Sequence, residues 1–199
     1  MSNIAAPVYR PRMLPKDLGV ALVALVALGL GWLLMAQTEG RTRAYAEPDG
    51  GIRLDYPATW IGVDSLQDLL LKVENPQTAS AFKTALSVER RDLDPTDPPT
   101  LQTLLDRRVE ERGQIAGYHL LADGEATLAG QRAILLEYAY VVQPIDTPRR
   151  ASLPVVVHAR EYLLITADRA YYIALAAPEE SFAQASATFE RIVRSIALP

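Results

Sequence analysis

Nineteen consecutive positions, Leu18 to Ala36, hold no charge and nothing more polar than glycine or tryptophan. At 1.5 Å of rise per residue such a run makes a helix of about 28 Å, close to the hydrocarbon thickness of a bilayer. It is apolar all round, whereas the core helix of a soluble domain shows a polar face. The pattern therefore predicts a membrane-spanning helix. Ahead of it, residues 1–17 include Pro7, Pro11 and Pro15 and read as an irregular tail.

Beyond the apolar run the period shortens to two. Ile52 to Tyr56 alternates apolar and polar, as a half-buried strand does, and Pro57 ends it. Leu69–Val73 is a short apolar run closed by Asn75-Pro76, and Phe82, Thr84, Leu86 and Val88 alternate into a loop over 94–99. The period then lengthens: Leu101, Leu104, Leu105 and Val109 recur at helical steps behind Thr100, a good N-cap, and Gly113 or Gly117 stops the helix. Tyr118–Leu128 and Gln131–Val142 are two long strands joined by Ala129-Gly130, where glycine supplies the positive φ of a tight turn. The segment 144–154, with three prolines and the Arg149-Arg150 pair, is a loop. Val155–Thr166 and Tyr171–Ala176 form a second hairpin. Pro178, Glu179 and Glu180 open a last helix with Phe182, Phe189, Ile192, Val193 and Ile196 on its apolar stripe. Hairpins rather than βαβ crossovers predict an α+β fold, an antiparallel sheet covered by helices.

Composition narrows the setting. The apolar run is longer than a signal peptide's, and Leu34 stands where cleavage needs a small residue, so the expectation is an uncleaved anchor. A lipid anchor on cysteine is excluded, since the chain has no cysteine; disulfides and thiol chemistry go with it. Arg10, Arg12 and Lys16 precede the helix and Arg41 and Arg43 follow it, which favours a cytoplasmic N-terminus and an extracytoplasmic C-terminal domain. The expected organisation is a tail over 1–17, an anchor over 18–36, a tether over 37–48 and one soluble domain over 49–199. From residue 37 onward 17 basic residues face 23 acidic ones, a formal charge of −6. That balance argues against nucleic acid and leaves membrane attachment to the anchor.

The landmarks Tyr56-Pro57-x-x-Trp60, Thr127-Leu128-Ala129-Gly130-Gln131 and Phe189-x-x-Ile192-Val193-x-Ser195-Ile196, in this order, resemble the PsbP/Mog family, including its DcrB-like bacterial envelope branch. The resemblance covers most of residues 43–198. It implies an α/β/α sandwich around a twisted antiparallel sheet and a binding or accessory role rather than catalysis. It also implies that Trp60 plugs the core, Gly130 makes a turn, and Phe189 and Ile192 pack helix on sheet. The metal-binding histidines of photosynthetic members have no counterpart, since only His119 and His158 exist.

Candidate chemistry is sparse. His158 and Glu161 are three apart on a strand and face opposite ways, so they cannot share a ligand. Asp92, Asp94 and Asp97 lack the glycine and final glutamate of a calcium loop and read as a solvated turn with one Asp capping the next helix. Ser195 sits in no nucleophile motif, and the dispersed glycines form no phosphate cradle. Neither a cofactor nor a metal is expected. Tyr138, Tyr140 and Tyr162, on strands, and Arg149 and Arg150, in a loop, are the candidate protein-binding residues, tyrosine combining a large apolar body with a polar tip. The expected function is a non-enzymatic, single-pass, membrane-anchored interaction domain, an accessory or assembly subunit of a membrane protein complex. The alternative is a small-ligand binder or hydrolase with a pocket between sheet and helices, marked by a deep cleft holding His119 or His158 near a carboxylate.

Overall fold

The computed structural model describes residues 15–64, 69–143 and 153–198. It divides the chain into two units, Met1–Arg41 and Thr42–Pro199. In the first, α1 (Pro15–Glu39) contains a candidate membrane span, Leu18–Met35, none of which is buried. Leu22, Leu25, Leu28 and Trp32 all expose more than 60 % of their surface.

The second unit carries β1 (Thr42–Ala46), β2 (Arg53–Pro57), β3 (Ile61–Gly62), β4 (Leu71–Glu74), β5 (Ala85–Asp92), α2 (Leu101–Gly113), β6 (His119–Leu128), β7 (Gln131–Val142), β8 (Val155–Ile165), β9 (Arg169–Pro178) and α3 (Glu179–Ser195). Seven strands form one antiparallel sheet in the order β3-β4-β5-β9-β8-β7-β6, and β1 pairs with β2 in a separate two-stranded ribbon. The class is α+β, with α2 on one face of the sheet and α3 with the ribbon on the other.

Period-two alternation sorts the core. On β9, Tyr171, Ile173 and Leu175 join Leu86 and Val88 of β5, Ile52 and Leu54 of the ribbon, Trp60, and Phe182, Phe189 and Ile192 of α3. Ala170 and Tyr172 face the other way, with Leu136 and Tyr138 of β7, Leu163 of β8, and Leu104 and Leu105 of α2. Thr100 caps α2 by accepting the Thr103 N–H at 3.1 Å, as its position predicts. Between β6 and β7, Ala129 and Gly130 both take positive φ, +48° and +79°.

Residues 15–17, read above as the end of an irregular tail, open α1, where proline fits the first turn of a helix. Two further stretches depart from the sequence reading. Thr42–Ala46, assigned above to the tether, is strand β1, and α1 runs on to Glu39, which leaves Gly40 and Arg41 between the two elements. Only Tyr45 in β1 is even partly buried, so no apolar alternation announces the strand; pairing with β2 makes it. Ile61–Gly62 is likewise too short and too exposed to register as a strand by pattern.

Candidate functional site

The face of the sheet under α2 carries a buried charge network. Glu161 of β8 is fully buried and alternates inward with Ala159 and Leu163. Arg108, one helical turn beyond Leu104, reaches it from α2: Nε donates at 2.9 Å, and Nη2 bonds both Glu161 and Glu89, the latter at 2.9 Å. Tyr138 donates its hydroxyl to Glu161 at 3.2 Å. Arg91 adds a bidentate pair with Glu111 at 2.8 and 2.9 Å, and the Arg91 and Arg108 guanidinium groups both lie over the Tyr172 ring. Burial works against the charge on Arg108, but Glu161 and Glu89 outweigh it and hold the guanidinium protonated. Burial, reinforced by Glu161, raises the Tyr138 hydroxyl well above its usual range, and burial pushes Tyr140 up to about 12.

A second buried carboxylate lies under the ribbon. Glu47, just past β1, accepts the Ile52 N–H at 3.2 Å, Arg90 Nη1 at 2.6 Å and the Tyr171 hydroxyl at 3.0 Å. Burial would raise its pKa, but the Arg90, Tyr171 and Ile52 hydrogen bonds win and hold it low. Gly51 makes the space: a Cβ there would overlap Glu47 Oε2 and come within 2.7 Å of the Tyr171 oxygen. Both networks tie elements of the domain to one another, which is structural work.

The histidines occupy one row of the sheet. Ala139 of β7 pairs with His119 on one side and with His158 on the other, so the two lie on the α3-side face, two strand spacings or about 10 Å apart. His158 stacks on Phe182 with centroids 3.6 Å apart, with Nδ1 3.0 Å from Glu179 and Nε2 2.8 Å from Glu137, the latter off the line of a hydrogen bond. Glu161 is on the opposite face. No group of three or more potential metal ligands occurs among the described residues.

Three open clefts lie around α2, and neither histidine lines any of them. One of about 830 Å³ runs between the start of α2 and the β6–β7 hairpin, past Leu101, Leu105, Asp123, Glu125 and Ile134. Another, of about 640 Å³, is lined by Arg90, Arg91, Arg108 and Arg112 with Glu89 and Glu111. The third, of about 510 Å³, includes Asp92, Asp94 and Asp97. There Asp94 accepts both the N–H and the hydroxyl of Thr96, at 2.8 and 2.6 Å; it closes its own turn, and the helix cap expected of an aspartate falls to Thr100.

The residues expected to meet a partner are spread over two faces. Tyr138 is buried and Tyr140 half-buried on the α2 side, stacked at 6.0 Å, while Tyr162 packs on Phe189 under α3. Arg149 and Arg150 lie outside the described residues. Ser195 accepts the Asp55 N–H at 2.9 Å and donates to the Ile192 carbonyl at 2.6 Å, fastening α3 to β2. Sequence reasoning missed both buried carboxylates. The signal for one was present: Glu161 interrupts an inward row of Ala159 and Leu163, and Arg108 continues the apolar stripe of α2.

No protein-family model matches this chain, and no curated protein matches its sequence. Solved structures do match its shape. The cyanobacterial PsbP (CyanoP) of Synechocystis sp. PCC 6803 superposes with a TM-score of 0.58 at 16 % identity, over 79 % of this chain and 92 % of that one. LpqN of Mycobacterium tuberculosis, described as involved in cell envelope biogenesis, gives 0.54 at 15 %, over 80 % and 91 %. A Pseudomonas aeruginosa protein described as a putative regulator gives 0.51 at 16 %, over 80 % and 98 %. At these identities the likeness is one of fold, and the fold is PsbP-like.

Proposed function

We propose that this chain is a membrane-anchored accessory domain. Helix α1 holds it in the bilayer with the N-terminus cytoplasmic, and the Thr42–Pro199 unit, on the extracytoplasmic side, binds a membrane protein complex without catalysing a reaction. The observation that carries the reading is the helix itself: 18 residues, Leu18–Met35, apolar on every side and exposed along its length among the described residues. Lipid is the solvent that satisfies such a surface. The envelope role given for LpqN suits the same setting, and the buried ion pairs described above serve to hold the domain together rather than to meet a substrate.

The test has two arms. Alkaline phosphatase fused after Pro199 is active if the domain is outside, and activity only from a cytoplasmic reporter overturns the topology. Crosslinking in native membranes is expected to join the domain to a membrane protein; a monomer recovered without neighbours overturns the accessory role. The cleft of about 830 Å³ favours a second reading, a small-ligand binder. Native mass spectrometry of the purified chain tests it, a bound small molecule being the expected result and a ligand-free mass the contrary one.

A further inference from the structure

We infer that the open edge of β6 is a docking edge for an extended segment of another protein that carries basic side chains at alternate positions. The seven-stranded sheet ends on one side in β3, two residues long, and on the other in β6, ten residues long and paired only with β7 among the described residues. Seven successive residues of β6, His119 to Glu125, are exposed.

The turn settles which backbone groups are free. Two residues of positive φ, Ala129 and Gly130, make a type I′ hairpin in which Leu128 and Gln131 form a hydrogen-bonded pair. Bonded and non-bonded pairs then alternate back along the strand, so Thr127, Glu125 and Asp123 turn their N–H and C=O groups outward. The register shift falls between Leu120 and Ala122, outside that stretch, which leaves 123–128 regular. Edge strands are commonly blunted with lysine, proline or a bulge across the pairing region. Between Asp123 and Leu128 there is no lysine, proline or bulge. The charges that guard this stretch are the two acids Asp123 and Glu125, which repel another acidic edge and not a basic one.

Charge selects the occupant. Asp123 pairs with Leu136 and Glu125 with Ile134, which places both acids on the α2 face, on the wall of the cleft of about 830 Å³. Asp123 has no ion pair among the described residues, and Glu125 has only Arg132 at 3.1 Å, both side chains more than 80 % exposed. A pair that exposed is weak and exchanges readily for another cation. A second copy is disfavoured in the two-fold antiparallel registers centred on residues 123, 124 and 125, which set Asp123 or Glu125 opposite an acid of the other copy. Like charges directly opposite destabilise a sheet; only the register centred on Ala126, with Glu125 opposite Thr127, escapes this. A basic strand meets no such penalty. Its outward backbone continues the sheet, and its lysine or arginine stems lie along Leu101, Leu105 and Ile134 in the cleft. The inference rests on the accessory-domain reading only in taking the ligand to be a protein.

The full chain in nanodiscs, titrated with a synthetic peptide alternating lysine and valine, is the test, read by hydrogen–deuterium exchange. The peptide is expected to slow exchange across 121–127 at least tenfold. A glutamate–valine peptide, and a lysine–valine peptide N-methylated at alternate residues, are expected to do nothing. Glu125→Pro, which removes an outward N–H that β7 does not use, is expected to lose binding at unchanged Tm. Equal binding of the N-methylated peptide would reduce the contact to charge alone and overturn the inference, as would unchanged exchange in β6. A dimer protected along β6 in the absence of peptide would make a second copy the occupant and overturn it too. The peptide comparison needs no variant, so it stands even where Glu125→Pro fails to fold. Its outcome is separable from topology, since the edge binds or fails to bind wherever the domain resides.

Discussion

The buried carboxylates define the sharpest residue-level expectations. Removing one member of a buried, hydrogen-bonded ion pair leaves the other unpaired at a cost of about 3–5 kcal/mol. Arg108→Met is therefore expected to lower stability by about that much in urea denaturation, and Arg108→Met with Glu161→Leu to recover most of it. Glu47 supplies a pH signature. Its carboxyl titrates near 4.5 when unfolded and lower when folded, as does that of Glu111, whose pKa Arg91 holds down. Their contribution is present above that pH and is lost as the pH falls through the folded values. Stability measured downward from pH 5 should drop, and Glu47→Gln should flatten the fall. Tyr138 and Tyr140 act at the other end: neutral when folded, they resist ionisation as the unfolded chain begins to ionise near pH 10. Stability should fall above that pH, with these phenols silent at 295 nm until the domain unfolds. At the β6–β7 turn, Ala129 holds φ +48° without being glycine, so Ala129→Gly is expected to stabilise by roughly 0.5–1 kcal/mol.

At the level of elements, the two helices of the domain are attached differently. Helix α3 buries Phe182, Ala185, Phe189 and Ile192 against sheet and ribbon, whereas α2 buries Leu104, Leu105 and the charged Arg108. Phe189→Ala should cost about 3–5 kcal/mol, the loss typical of a buried aromatic. Native-state hydrogen exchange should find α2 opening at lower free energy than α3, because fewer apolar contacts hold it; equal protection of the two would contradict this. Much of this was legible in the residues. The alternation of Leu86 and Val88, the Thr100 cap, the Ala129-Gly130 turn and the stripe from Phe182 to Ile196 each name their element. Strand β1 was not legible, because Thr42–Ala46 carries no apolar rhythm and exists through its partner in β2.

For the molecule as a whole, α1 and the Thr42–Pro199 unit are separable in kind: a helix with an apolar surface and a domain with its own cores. A chain beginning at Thr42 is expected to be water-soluble and to keep the Tm of the full chain's domain, while the full chain resists alkaline extraction from membranes. Starting instead at Asp49 removes β1 and Glu47 together, leaves Arg90 and Tyr171 without their shared acceptor, and should lower the Tm markedly.

What the sequence determined by itself was local: a membrane-length apolar run, the periods that separate strands from helices, the Ala129-Gly130 turn, the Thr100 cap and the α+β class. These depend on residues adjacent along the chain, whose spacing alone sets which face is apolar. Tertiary structure decided what depends on distant partners. It brought Arg108 to Glu161 and Glu47 to Arg90 and Tyr171, divided the tyrosines between two faces, set His119 and His158 in one row, and left β6 paired with β7 alone among the described residues. Strand order is the physical reason, since a strand's spacing shows that it has an edge, and only the pairing of all seven shows which edge remains free.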